Sequence, residues 1–251
     1  MDLQLKDKTA LVTGSSMGIG RAIAKALAAE GVKTAIVARR RNLLEGVADE
    51  IVSAGGIEPA IFEVDVMHQG AVKKLANDAR EALGGIDILI NSAGGSQPPI
   101  GIDAPDDAWE YAMTLNFVRV RQLTHAVLPG MVEKKWGRIV SITGKSEPEK
   151  LIAATPSKAA VHAWSKGLSR EVGKHGVTVN CIPPGRIMSE QIRRKYSEDF
   201  RAKQSAEEIP VGRYGEPEEL AALAVFLCSP LARYITGTVM PVDGGLKKYA
   251  F

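Results

Sequence analysis

The feature that most constrains this chain lies near its start. An apolar run at residues 9–12 (TALV) leads through TGSSMGIG at 13–20 into the Ala-rich amphipathic segment 21–30. Strand, glycine-rich turn and helix in that order make a β-α unit. Glycines at 14, 18 and 20 let the backbone turn tightly and let a ligand approach where a Cβ would collide. The first turn of the helix then offers unpaired N–H groups and a positive dipole end to an anion, most naturally a diphosphate. The spacing departs from the common GxGxxG dinucleotide fingerprint, so taken alone the turn also suits an ordinary strand-to-helix connection.

Strand-like runs of Val, Ile, Leu and Ala recur at 9–12, 34–38, 59–64, 86–90, 138–143, 177–182 and 238–242, with amphipathic helical stretches between them. Near-continuous apolar strands alternating with helices predict an α/β fold with a parallel, doubly wound sheet. No linker, repeat or low-complexity stretch divides the 251 residues, so a single domain over 1–251 is expected. No apolar run reaches the roughly 18 residues of a membrane span, and MDLQLKDK lacks a signal peptide's apolar region, which places the protein in the cytoplasm. Cys181 and Cys228 sit in apolar contexts without metal-ligand or redox spacing and read as buried thiols; no metal site is expected. A net charge of +3, with Lys and Arg dispersed, gives no reason to expect nucleic acid or membrane as partner.

The ligand crevice of such a sheet lies at the carboxyl ends of the strands. The second strand ends in Ala38-Arg39-Arg40-Arg41, where an acidic residue would accept from a ribose 2′-OH and an arginine would meet a 2′-phosphate. Arg39 and Arg40 therefore favour NADP over NAD, although a basic first turn on a solvated helix is the competing explanation. The third strand runs into Asp65-Val66 and the fourth into Asn91-Ser92-Ala93-Gly94-Gly95, small or polar residues that suit an adenine ring and ribose.

TGSSMGIG, Asp65-Val66, the NSAG at 91–94, Asn116, GRIVSIT at 137–143, Lys158, the PG at 184–185 and VDGG at 242–245 together resemble the short-chain dehydrogenase/reductase family, in order and over the whole chain. The group it looks most like is the 3-oxoacyl-acyl-carrier-protein reductase type. The resemblance implies a Rossmann-type domain with seven parallel strands that binds NAD(P), acts on a carbonyl or alcohol substrate and forms a homotetramer. Carried over by position, it implies cofactor contacts from Gly14, Ser15, Ser16, Gly18, Ile19, Gly20, Asp65, Val66, Asn91, Ala93, Gly94, Lys158, Pro184, Gly185 and Ile187, with the Ile187 backbone meeting the carboxamide. Segment 188–209 corresponds to the family's substrate lid.

The family's catalytic set is Asn, Ser, Tyr and Lys, the last two as YxxxK on one helix. One turn separates them, so the ammonium lowers the phenol's pKa. Here Asn116 and Lys158 are in place, but Ala154 stands four residues before the lysine and Gly144 stands at the serine position. No tyrosine occurs between Tyr111 and Tyr196, and the intervening loop is shorter than the family's. An alanine transfers no proton, and loss of a general acid costs about 10²- to 10⁴-fold. Substitute donors are sought in TGKSEPEK: Thr143, Lys145, Ser146, Glu147 and Glu149, of which Lys145 is favoured as the acid with Glu147 to orient it. The same loop also suits a solvated charged turn. His162, one turn beyond Lys158, reads as a packed histidine; Tyr196 ranks below Lys145 as replacement acid. Arg186, Arg193 and Arg194 near the lid point to an acidic or phosphorylated substrate, or to a solvated helix face, and Met113 and Trp164 read as core or helix interface. The leading expectation is an NADP(H)-dependent oxidoreductase with a non-standard catalytic set. The alternatives are a nucleotide-binding lyase or isomerase, or a catalytically silent nucleotide-binding subunit.

Overall fold

The computed structural model describes residues 1–95, 101–144 and 150–248. Six strands form one sheet: β1 Thr9–Thr13, β2 Lys33–Ala38, β3 Ala60–Glu63, β4 Ile88–Asn91, β5 Gly137–Ile142 and β6 Val177–Ile182. Their order is β3-β2-β1-β4-β5-β6, and every pairing is parallel. The connecting helices are α1 Gly18–Ala29, α2 Arg41–Ser53, α3 Ala71–Leu83, α4 Asp106–Met113, α5 Arg119–Glu133 and α6 Ala154–Val172, followed by α7 Glu190–Lys195, α8 Glu198–Glu208 and α9 Pro217–Cys228.

The two-residue period of the strands sorts their side chains into two cores. Ala10, Val12, Ile36, Ile88, Ile90 and Val140 pack with Ile23 and Leu27 of α1, Leu44 of α2 and Leu220 of α9. Leu11, Ala35, Val37, Leu89 and Ile139 face the opposite way, onto Leu75 and Ala79 of α3 and Leu123 and Val127 of α5. Both sheet faces are thus covered, which is why the strands read as unbroken apolar runs. From β1 the chain steps outward to β2 and β3, then returns to place β4 on the other side of β1. That reversal opens a crevice above the carboxyl ends of β1 and β4.

The expected seventh strand is corrected: the sheet has six. Residues 238–242 run parallel to β6 but meet the chain there only in isolated bridges, Cys181 with Val239 and Pro184 with Val242. Cys181 N–H donates to Thr238 C=O, Met240 N–H to Cys181 C=O, Val242 N–H to Pro183 C=O and Gly185 N–H to Val242 C=O. The bond that would join these pairs into a ladder is donated by the N–H of residue 183, and proline has none. Both cysteines are buried and free, and burial pushes their thiol pKa up to about 11 for Cys181 and about 12 for Cys228. Among the described residues no helix is long and apolar enough to cross a membrane.

Candidate active site

Hydroxyls fix the turn after β1. Thr13, 2% exposed, donates its Oγ1 proton to Ile90 C=O (3.2 Å) and accepts from the N–H groups of Ser92 and Ala93, both at 3.1 Å. Ser15 does the same towards β2, where Val37 N–H donates to its Oγ at 2.8 Å and its own N–H donates to Val37 C=O at 3.1 Å. Backbone crowding then dictates glycine. A Cβ on Gly14, whose φ is +68°, would stand 2.8 Å from Ala93 N, and one on Gly20 would stand 2.3 Å from Gly14 O. Met17, the N-cap of α1, gives no side-chain cap, and no acid occupies the first turn, so the positive end of α1 faces the crevice uncompensated. Between this end and α7 lies a cleft of about 200 Å³, lined in part by Gly18, Met188, Ser189 and Arg193.

Arg39 and Arg40 are both exposed, and Arg40, the N-cap of α2, brings Nη2 to 3.5 Å from Met17 Sδ. An arginine of the second strand's end therefore leans over the glycine turn. Asp65 accepts from Met67 N–H at 2.9 Å and so closes its own turn. Asn91, 3% exposed, spends its amide inside the protein, donating to Thr124 Oγ1 at 3.2 Å and Ser141 Oγ at 3.4 Å.

Deeper in the crevice, Asn116 lies in a π-turn, Thr114–Val118, between α4 and α5. Its Oδ1 accepts from Gly95 N–H at 3.0 Å and its Nδ2 donates to Ala112 C=O at 3.0 Å, which anchors the chain after β4. Lys158, on α6, donates from Nζ to Thr143 C=O at 3.0 Å. The residue as a whole keeps some exposure, but burial of the ammonium lowers its pKa to about 8. Thr143 is gripped from both sides, because its Oγ1 lies 2.7 Å from His162 Nε2. Burial, then the nearby charge of Lys247, lowers the pKa of His162 and keeps it neutral.

Downstream of β6, Gly215 pairs with Ile187 through Arg186 C=O and Met188 N–H, leaving the N–H and C=O of Ile187 itself outside that pair. Gly185 is forced by Asp243, whose Cα would lie 2.5 Å from a Cβ there. Ser189 caps α7, and its Cβ lies 3.7 Å from where a Cβ of Gly18 would be. The lid segment thus reaches from the carboxamide-side turn back to the glycine turn.

A family model described as Enoyl-(Acyl carrier protein) reductase matches residues 14–247. The chain belongs to the short-chain dehydrogenase/reductase family. A 3-oxoacyl-acyl-carrier-protein reductase of Aquifex aeolicus is 34% identical over 256 residues, covering 98% of this chain and 100% of that protein. The corresponding enzyme of Vibrio harveyi is 36% identical over 247 residues, with 97% and 99% covered. L-sorbose reductase from Gluconobacter frateurii, solved in complex with NADPH and L-sorbose, superposes with a TM-score of 0.93 at 32% identity, covering 99% of this chain and 100% of that one.

Against the family's pattern, Gly144 and Ala154 now have a setting. A Cβ at 144 would stand 2.9 Å from Lys158 Cδ, so the lysine stem occupies the space beside the position where the family has serine. Ala154 opens α6 one turn before Lys158 and is 3% exposed. Lys145, Ser146, Glu147 and Glu149 lie outside the described residues. Three further readings are adjusted. His162 is not merely packed but bonded to the same threonine as Lys158, Met113 is 38% exposed rather than core, and Trp164 packs edge-on to Phe117 with centroids 6.2 Å apart. Sequence reasoning missed a polar cluster of Arg201, Gln204 and Glu208 on α8, although their spacing of three and four residues was a visible signal.

Proposed function

We propose that this chain is an NADP(H)-dependent oxidoreductase that interconverts a carbonyl and an alcohol, with Lys158 giving and taking the proton. The observation that carries this reading is the placement of the Lys158 ammonium: aligned by Thr143 C=O, beside Gly144, with Ala154 where a phenol would stand and its pKa near 8. The glycine cradle and uncapped start of α1 fit a diphosphate, the Ile187 main chain fits a carboxamide, and the guanidiniums of Arg39 and Arg40 fit a 2′-phosphate. A nicotinamide dinucleotide, once bound, supplies the hydride for the carbonyl carbon and takes it back in the reverse direction. Lys158 protonates the carbonyl oxygen, and its neutral amine receives the proton when the alcohol is oxidised. Asn116 holds the segment after β4 in place and with it one wall of the crevice. Thr143 aligns the lysine instead of donating itself, since its hydroxyl is engaged with His162. That NADPH is bound by L-sorbose reductase supports the choice of cofactor.

A panel of carbonyl compounds assayed by consumption of NADPH tests this reading. Saturable NADPH binding without turnover of any of them would favour a silent nucleotide-binding subunit, which Gly144 and Ala154 also suit. For the cofactor, reversing charge in Arg39→Glu/Arg40→Glu is expected to weaken NADPH about 10- to 100-fold, because charge-assisted hydrogen bonds contribute about 1.5–3 kcal/mol each. NADH affinity should stay nearly constant, and fluorescence titration of both nucleotides decides it. Equal binding of NADPH and NADH by the unmodified protein would remove the role given to these arginines.

A further inference from the structure

The lid helices carry a polar cluster that the reaction proposed above does not use. Arg201, Gln204 and Glu208 share one face of α8, and that face meets Arg186 and Tyr214. Glu208 accepts from Arg186 Nη2 at 3.4 Å and from Gln204 Nε2 at 3.1 Å, while Tyr214 donates its hydroxyl to Gln204 Oε1. Tyr214 is 5% exposed; burial raises its phenol pKa, and the charges of Arg186 and Arg201 oppose that rise, so both guanidiniums lie near the ring. Arg186 Nε and Arg201 Nη1 are shut off from solvent, and neither has an acceptor among the described residues.

A cationic N–H buried without an acceptor is costly, and native proteins seldom keep one. Two of them on neighbouring guanidiniums, opposed in this cluster by the single carboxylate of Glu208, leave both a surplus of positive charge and a shortage of acceptor oxygens. An anionic group brought by a ligand supplies both. We propose that Arg186 and Arg201 form an anion subsite beneath the lid, which takes a carboxylate or phosphate group of the substrate. The inference rests on the functional reading above for the word substrate, and it extends that reading by naming the substrate class. Arg186 is joined directly to Ile187, so a molecule anchored here reaches into the crevice where the carboxamide contact is proposed. Guanidinium forks match both candidate groups, since each presents paired oxygens for two parallel hydrogen bonds.

Calorimetric titration of the whole protein with malonate and with inorganic phosphate, with and without saturating NADPH, tests the subsite. Dimethyl malonate serves as the uncharged control. Saturable binding of malonate, phosphate or both is expected, with none of the diester. Affinity should fall about tenfold or more in Arg201→Gln and in Arg186→Gln. Binding of malonate alone assigns a carboxylate, and binding of phosphate alone a phosphoryl group. Arg201 is in no ion pair among the described residues, so its variant is the one expected to keep the fold, which circular dichroism checks. Absence of binding by both probes, or binding that neither substitution weakens, overturns the proposal. Titration without nucleotide reads the subsite by itself, so a failure to bind NADPH would remove the functional reading and leave the anion result to be judged separately.

Discussion

Replacing Lys158 by methionine is expected to lower kcat by about 10²- to 10⁴-fold while NADPH affinity changes far less, because the lost group is the proton donor and only secondarily a cofactor contact. Methionine keeps the stem that packs beside Gly144 and removes only the charge and the N–H donors. A loss confined to KM would make Lys158 a binding residue. The comparison that separates it from the loop outside the described residues is Lys145→Ala, expected to retain most of the turnover. If Lys145→Ala abolished turnover and Lys158→Met did not, the proton donor would belong to the 143–149 loop.

The second large effect is expected at Gly20. A Cβ there would stand 2.3 Å from the backbone oxygen of Gly14 and 2.8 Å from its carbonyl carbon, and no flexible side chain can move to relieve the contact. Overpacking of this kind costs about 1–3 kcal/mol. In this position the main chain must also shift within the turn proposed to hold the diphosphate. Gly20→Ala should therefore both lower the thermal midpoint and weaken NADPH by more than about 100-fold, which calorimetry and fluorescence titration would measure. Full retention of NADPH affinity would mean that the diphosphate is held elsewhere. Gly46, on the outer part of α2, has no atom within 4 Å of a built Cβ, and Gly46→Ala is a fitting control.

The fold was legible because period and composition carry it. Val12 and Leu11 go to opposite cores for the same reason that the strand reads as an apolar run, and α1 was visible from its alanine-rich face. The loss of the seventh strand had its signal in Pro183, but only the pairing partner shows that the missing N–H falls where a ladder bond is needed. Within the candidate site, residue types were legible and directions were not. Asn91 looked like a cofactor contact by position, and its amide in fact ties β4 to β5 and α5. The Thr143 grip on Lys158 joins residues 15 positions apart, and His162 reaches the same threonine across 19. No periodicity connects a helix to a loop in that way. The unpartnered N–H groups of Arg186 and Arg201 are a property of packing, and sequence gives only the spacing on α8.

The pH dependence of NADPH consumption with a carbonyl substrate tests the central claim most directly. Burial lowers the Lys158 pKa from 10.5 to about 8, so the ammonium that acts as acid is present below pH 8 and is lost above it. The rate of reduction should be level on the acid side and fall about tenfold per pH unit beyond about pH 8, while oxidation of the alcohol should rise over the same interval and then level off. A reduction rate with no inflection near pH 8, or an inflection there that survives in Lys158→Met, would contradict the account.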